Sequence, residues 1–82
     1  MRADAFGILE QLLGEVRRET GLDVRDDENV MARLETAALR AARDIARFGS
    51  AAVTLPELVD TTEGPYHLFI TVMAPGRGEG AV

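Results

Sequence analysis

The sequence predicts an α+β fold in which two long helices pack on a small antiparallel β-hairpin. Three observations predict it. Two segments ahead of Gly49 carry apolar residues at steps of three and four, the stripe of a 3.6-residue helix. After Gly49 and Ser50 the apolar period changes to two, as in strands with one buried face. Between the two period-two runs lies Thr61-Thr62-Glu63-Gly64-Pro65, a cluster of turn-forming residues.

The first helix is expected from Ala5 to about Thr20, with Phe6, Leu9, Leu12, Leu13 and Val16 on its core face. Asp4 stands where a capping carboxylate would meet free backbone N–H groups. Arg17 and Arg18 suit the negative end of the helix dipole, and Gly21 can take the left-handed conformation that ends a helix. Gly7 and Gly14 each weaken a helix by up to ~1 kcal/mol relative to alanine. They share a face, which predicts a close packing partner there.

The second helix is expected from about Asp27 to Phe48, with Asp26, Asp27 and Glu28 as capping and first-turn acids and Arg47 at its end. Its predicted core stripe is Met31, Leu34, Ala38, Ala41, Ile45 and Phe48, while Arg33, Arg40, Asp44 and Arg47 face water. A second stripe, Leu39, Ala42, Arg43 and Ala46, follows i, i+3, i+4, i+7 spacing and so shares a flank beside the core face.

Ala52-Val53-Thr54-Leu55 forms a short strand that Pro56, lacking an N–H, should stop or leave at an edge. From His67 to Met73 the chain alternates, with Leu68, Ile70 and Val72 on one face and His67, Phe69, Thr71 and Met73 on the other. The glycine-rich stretch after Met73 reads as a flexible tail. Residues 1–73 therefore form one domain, and 74–82 its tail.

Composition excludes several classes of function. Eighty-two residues allow one domain, which buries only roughly 60–65% of its unfolded surface. With zero cysteines, disulfides and thiolate metal sites are excluded, and the chain suits a reducing compartment. No apolar run approaches a membrane span, so the expectation is a soluble intracellular domain, or a fragment of one, in the cytoplasm. A net charge of −5 argues against nucleic acid as a partner. All nine basic residues are arginines, which a GC-rich genome explains better than arginine-rich recognition.

Catalytic chemistry finds little support. Gly76, Gly78 and Gly80 precede no helix, so they make no phosphate loop. One histidine without thiolates or clustered carboxylates cannot close a metal site. A Ser50–His67–Asp60 nucleophilic grouping has no support in the spacing. His67, at the start of a strand after a Gly-Pro turn, reads as structural, with its ring against the turn.

The order of motifs resembles one piece of the Hsp70 (DnaK-type) chaperone family: the outer subdomain of the second lobe of its ATPase domain. That family approaches a helix through Gly-x-Asp-x-Arg-x-Asp, matched by Gly21, Asp23, Arg25 and Asp27. An Arg-Leu pair then opens an alanine-rich helix, matched by Arg33 and Leu34 with Ala37, Ala38 and Ala41. A strand ending in Leu-Pro, here Leu55 and Pro56, and a Gly-Pro-x-His turn, here Gly64, Pro65 and His67, complete the series. The upstream helix through Leu12 and Leu13 also fits, so the likeness covers about residues 5 to 73.

In that family the subdomain is one jaw of a cleft that closes over ATP, and nucleotide-exchange factors grip it partly through the hairpin, here about Pro56 to Pro65. The resemblance implies ATP or ADP as the ligand of the parent protein. It implies the rest of the ATPase domain or an exchange factor as partner. The family's helix presents a glutamate, a lysine, often an arginine, and a serine to adenine and ribose. Those positions fall on Leu39, Ala42, Arg43 and Ala46, of which only Arg43 keeps a polar group. Past Val72 the family continues with a Thr-Arg step, replaced here by Met73-Ala74-Pro75-Gly76. That departure suggests a shortened piece or a chain that never rejoins the ATPase. The phosphate loops, magnesium-positioning acids and catalytic lysine of the family lie in other subdomains, and this chain has no lysine, so ATP hydrolysis by the chain alone is not expected. Two other readings remain open: a freestanding protein-interaction module, binding a helix or another copy through the apolar strip, and a small enzyme centred on His67.

Overall fold

The computed structural model describes residues 5–73. Four elements follow in order: α1 (Ala5–Thr20), α2 (Glu28–Phe48), β1 (Ser50–Thr61) and β2 (Gly64–Met73). The strands form a two-stranded antiparallel sheet, and the two helices pack on one of its faces. This is the α+β arrangement that the two periodicities predict. The Asp4 cap and the tail of 74–82 lie outside the described residues.

Local signals account for the helix ends. Gly21, at φ 76°, donates its N–H to Arg17 O at 2.7 Å and closes α1. The Asp27 carboxylate accepts from the N–H groups of Asn29 and Val30, both at 3.1 Å, and so caps α2. Gly49, at φ 86°, ends α2 with its N–H on Ile45 O at 2.8 Å. The intervening loop is tied back to α1 by Arg25, whose Nη2 lies 3.0 Å from Glu10 Oε1.

The core lies between the helix pair and the inner sheet face, centred on Leu12, Val16, Leu34, Leu68 and Val72. Ala51 and Val53 complete the inner face from β1. Leu68 and Val72 are buried and Ile70 half-buried, as the alternation predicts. Two aromatic assignments are corrected. Phe6 is 72% exposed and Phe48 71% exposed, so neither belongs to the core. Ile8 and Val30 are buried instead, and Met31 is only half-buried. Phe48 has the helical phase of the core stripe, but it is the last residue of α2. The close partner expected on the Gly7–Gly14 face is also absent at Gly14, where an added Cβ would meet nothing within 4 Å.

Both strands run longer than expected: β1 starts at Ser50 and β2 at Gly64, so Thr61, Gly64 and Pro65 of the expected turn pair within the ladder and only Thr62 and Glu63 lie between the strands. β1 does not stop at Pro56 but runs on to Thr61, through a bulge. Leu55 pairs with Leu68 and Val59 with Tyr66, so Pro56, Glu57 and Leu58 together face His67. Proline is tolerated there because a bulge residue owes no ladder hydrogen bond. Glu57 takes φ 51°, the only positive φ of a non-glycine among the described residues. Leu58 turns inward and is buried. At the hairpin tip Gly64 adopts φ 113°, and the Thr61 hydroxyl donates to Gly64 O at 2.7 Å and accepts from Glu63 N–H at 3.1 Å.

Candidate functional site

Three features of this scaffold could carry function: the bulge, the flank of α2 that the resemblance assigns to nucleotide, and a groove along the free edge of β1.

At the bulge, the guanidinium of Arg33 reaches over from α2. Its Nη1 donates to Glu57 O at 3.0 Å and its Nη2 to Pro56 O at 2.9 Å, a forked contact that suits the planar guanidinium better than the point charge of a lysine. The Glu57 N–H donates to His67 Nδ1 at 2.9 Å. An imidazole nitrogen accepts only without a proton, so this geometry uses the tautomer protonated at Nε2. The His67 ring also stacks near Phe69, with centroids 6.2 Å apart and planes at 29°. The sequence places the His67 ring against the Gly-Pro turn; in the structure its hydrogen-bond partner is the bulge.

The pairing register separates the conceivable nucleophilic grouping. Ser50 pairs with Met73 at the open end of the hairpin, Asp60 pairs with Pro65 beside the tip, and His67 stands opposite the bulge between them. Among the described residues no group of three or more His, Cys, Asp or Glu side chains could hold a metal ion. No polar or charged side chain among them is buried.

The flank of Leu39, Ala42, Arg43 and Ala46 is assembled as its spacing predicts, but as a mostly open surface. Leu39 is 57% exposed, Arg43 and Ala46 are exposed, and Ala42 packs partly against the core. Arg43 presents the only hydrogen-bonding head group of the four.

The groove, of about 710 Å³, lies between α2 and β1. Ala52, Val53, Thr54 and Leu55 form one wall. Arg33, Thr36, Ala37, Arg40, Arg43 and Asp44 form the other. Of the flank residues only Arg43 reaches it; Leu39, Ala42 and Ala46 do not line it. Sequence reasoning had Arg33, Arg40 and Asp44 simply facing water. The signal that marks them is an arginine column on one side of α2 together with Pro56, a residue at home in edge strands.

Two groups carry shifted pKa values. Burial first, then Glu19 and Glu15, push the Tyr66 phenol above its ordinary value. Arg18 is held above the usual guanidinium value by its hydrogen bond to Glu15 and by the charges of Glu15 and Glu19. Arg18 lies in the last turn of α1, and Tyr66, on β2, is near enough to sense the charges of that turn. No protein-family model matches the chain.

Proposed function

We propose that this chain is the outer jaw of an Hsp70-like ATPase domain, acting as a rigid lever that retains or releases nucleotide and performing no catalysis alone. The observation that carries this reading is the meeting of the motifs. The Arg-Leu pair lies on α2, more than twenty residues before the Leu-Pro pair on β1 and the Gly-Pro-x-His turn at the start of β2. Arg33, Pro56, Glu57 and His67 are nevertheless joined by three hydrogen bonds at one bulge. Motifs that serve one piece of architecture are best kept together by descent from a scaffold that needs them.

On this reading the parent protein binds unfolded polypeptide under ATP control, and the hairpin from about Pro56 to Pro65 is the surface for a nucleotide-exchange factor. The chain's own hold on ATP or ADP is weak. Leu39, Ala42 and Ala46 supply none of the acid, ammonium or hydroxyl partners of the family. Three missing contacts at ~0.5–1.5 kcal/mol each amount to about tenfold to a few thousandfold in affinity.

The second reading, a freestanding interaction module without nucleotide, is favoured by the exposure of Leu39 beside Ala42 and Ala46, an apolar strip fit for a helix or another copy. Calorimetric titration with ADP separates the two. Saturable heat that disappears in Arg43→Ala supports the jaw. Silence at millimolar ADP, with self-association that Leu39→Asp abolishes, replaces it with the module.

A further inference from the structure

We infer that the free edge of β1 is a docking site for an extended acidic segment of another protein, which adds as a third strand and lies in the groove beside α2. This goes beyond both readings above and uses a different side of α2, with Arg43 alone in common.

The backbone supplies half of the argument. A two-stranded sheet leaves each strand with one unpaired edge, so β1 turns a row of N–H and C=O groups away from β2. Such a row is a template for strand addition. Arg33 occupies the carbonyls of Pro56 and Glu57, which limits the open stretch to the residues before the bulge. Ala52 to Leu55 line the groove over that stretch, about 13 Å at the rise of a strand.

Charge supplies the other half and selects the occupant. The chain is acidic, with net charge −5, yet this groove holds Arg33, Arg40 and Arg43 against the single acid Asp44. Outside the groove Arg18 pairs with Glu15 and Arg25 with Glu10, whereas Arg17 and Arg47 have no carboxylate partner among the described residues; what sets the groove apart is three arginines on one wall. Arg40 and Arg43 make no ion pair or hydrogen bond with any described residue. Two unneutralised guanidinium groups beside an unpaired strand edge fit a strand that carries carboxylates. A second copy of this acidic chain fits less well.

The test uses the full chain and a fluorescein-labelled octapeptide of alternating valine and glutamate. Fluorescence anisotropy should give saturable binding that weakens as salt rises. Amide resonances of Ala52 to Leu55 should shift on titration. Arg40→Glu, which lies outside the nucleotide flank, should weaken binding at least tenfold while leaving the melting temperature unchanged; Arg40→Gln should fall between. The lysine-for-glutamate peptide should bind at least tenfold more weakly. So should a peptide N-methylated at two consecutive central residues, which blocks both of its edges. Equal binding of the lysine peptide, or a footprint on Leu39 and Ala46 instead, would overturn the proposal. Concentration-dependent dimers footprinting on Ala52 to Leu55 would give the edge to a second copy, and displacement of the peptide by ADP would give the arginines to phosphate. Either outcome refutes an acidic strand as the occupant. Because the nucleotide reading is tested through Arg43 and ADP, it can fail while this one stands.

Discussion

Replacing Arg33 with alanine tests whether the bulge is held from α2. Two hydrogen bonds are lost, to Glu57 O at 3.0 Å and Pro56 O at 2.9 Å. Bonds to charged groups contribute ~1.5–3 kcal/mol each when sheltered, but water can replace these exposed donors, so the pair contributes about 1–2 kcal/mol. In a domain of this size each kcal/mol moves the melting temperature by roughly 4–8 °C, which gives a fall of about 4–16 °C. Urea and thermal unfolding followed by circular dichroism measure both quantities. Arg33→Lys, a point charge without the fork, should recover no more than about half. Because Glu57 is held at φ 51° by Arg33 on its carbonyl and His67 on its N–H, the two contacts should couple. A double-mutant cycle with His67→Ala is expected to leave an interaction of roughly 0.5 kcal/mol or more. Arg40, on the same helix without a partner, is the control, with an expected change within about 0.5 kcal/mol. An Arg33→Ala protein as stable as Arg40→Ala, together with strict additivity in the cycle, would refute the reasoning.

Three further outcomes are expected. Leu68→Ala, at the fully buried centre of the sheet, should cost about 2–5 kcal/mol and leave this small domain largely unfolded, whereas exposed Phe48→Ala should change urea stability by less than about 0.5 kcal/mol. Gly14→Ala should stabilise by up to ~1 kcal/mol, since its Cβ meets open space, while Gly49→Ala, at φ 86°, should destabilise by roughly 1 kcal/mol in the same assay. Tyr66 should ionise with a midpoint above the ordinary 10.0, read from tyrosinate absorbance, because burial and then Glu19 and Glu15 favour the neutral phenol. A raised folded-state pKa means this stability is fully present below the unfolded value of 10.0 and is lost as pH climbs through the folded one. The chain has one tyrosine, no cysteine and no lysine, so Tyr66→Phe should flatten that alkaline decline; a midpoint at or below 10.0 contradicts the burial argument.

The elements were legible because each is specified locally. Gly21, Asp27 and Gly49 sit at helix ends with the conformations that their side chains, or lack of them, favour. Periodicity then places Leu12, Leu34 and Ile45 on core faces without reference to the partner. It fails where the partner runs out: Phe48 has the right phase and no neighbouring layer to enter. Ile8 and Val30 were missed because a wide buried arc admits more positions than a single stripe predicts. The bulge was read as a strand end because what keeps the chain extended through Pro56 is a guanidinium from a residue on α2, a contact between segments 23 residues apart. The flank of Leu39, Ala42, Arg43 and Ala46 was visible as spacing, whereas the groove arises only when α2 and β1 are laid side by side. Val24 and Leu58 show the same limit, since each is buried from a segment without regular periodicity.

The bulge carries a lesson in parity. Four steps lead from Leu55 to Val59 on one strand while two lead from Leu68 to Tyr66 on the other, so the surplus is even. Side chains alternate sides with a repeat of two, and an even surplus lets both arms keep the same side toward the helices beyond the irregularity. Excising two residues here would yield a plain ribbon that still folds but offers Arg33 nothing to grasp. Excising one would turn the tip inside out, carrying Val59 to the wet side and Asp60 to the dry one. Length changes at this position are therefore expected to be tolerated only in pairs.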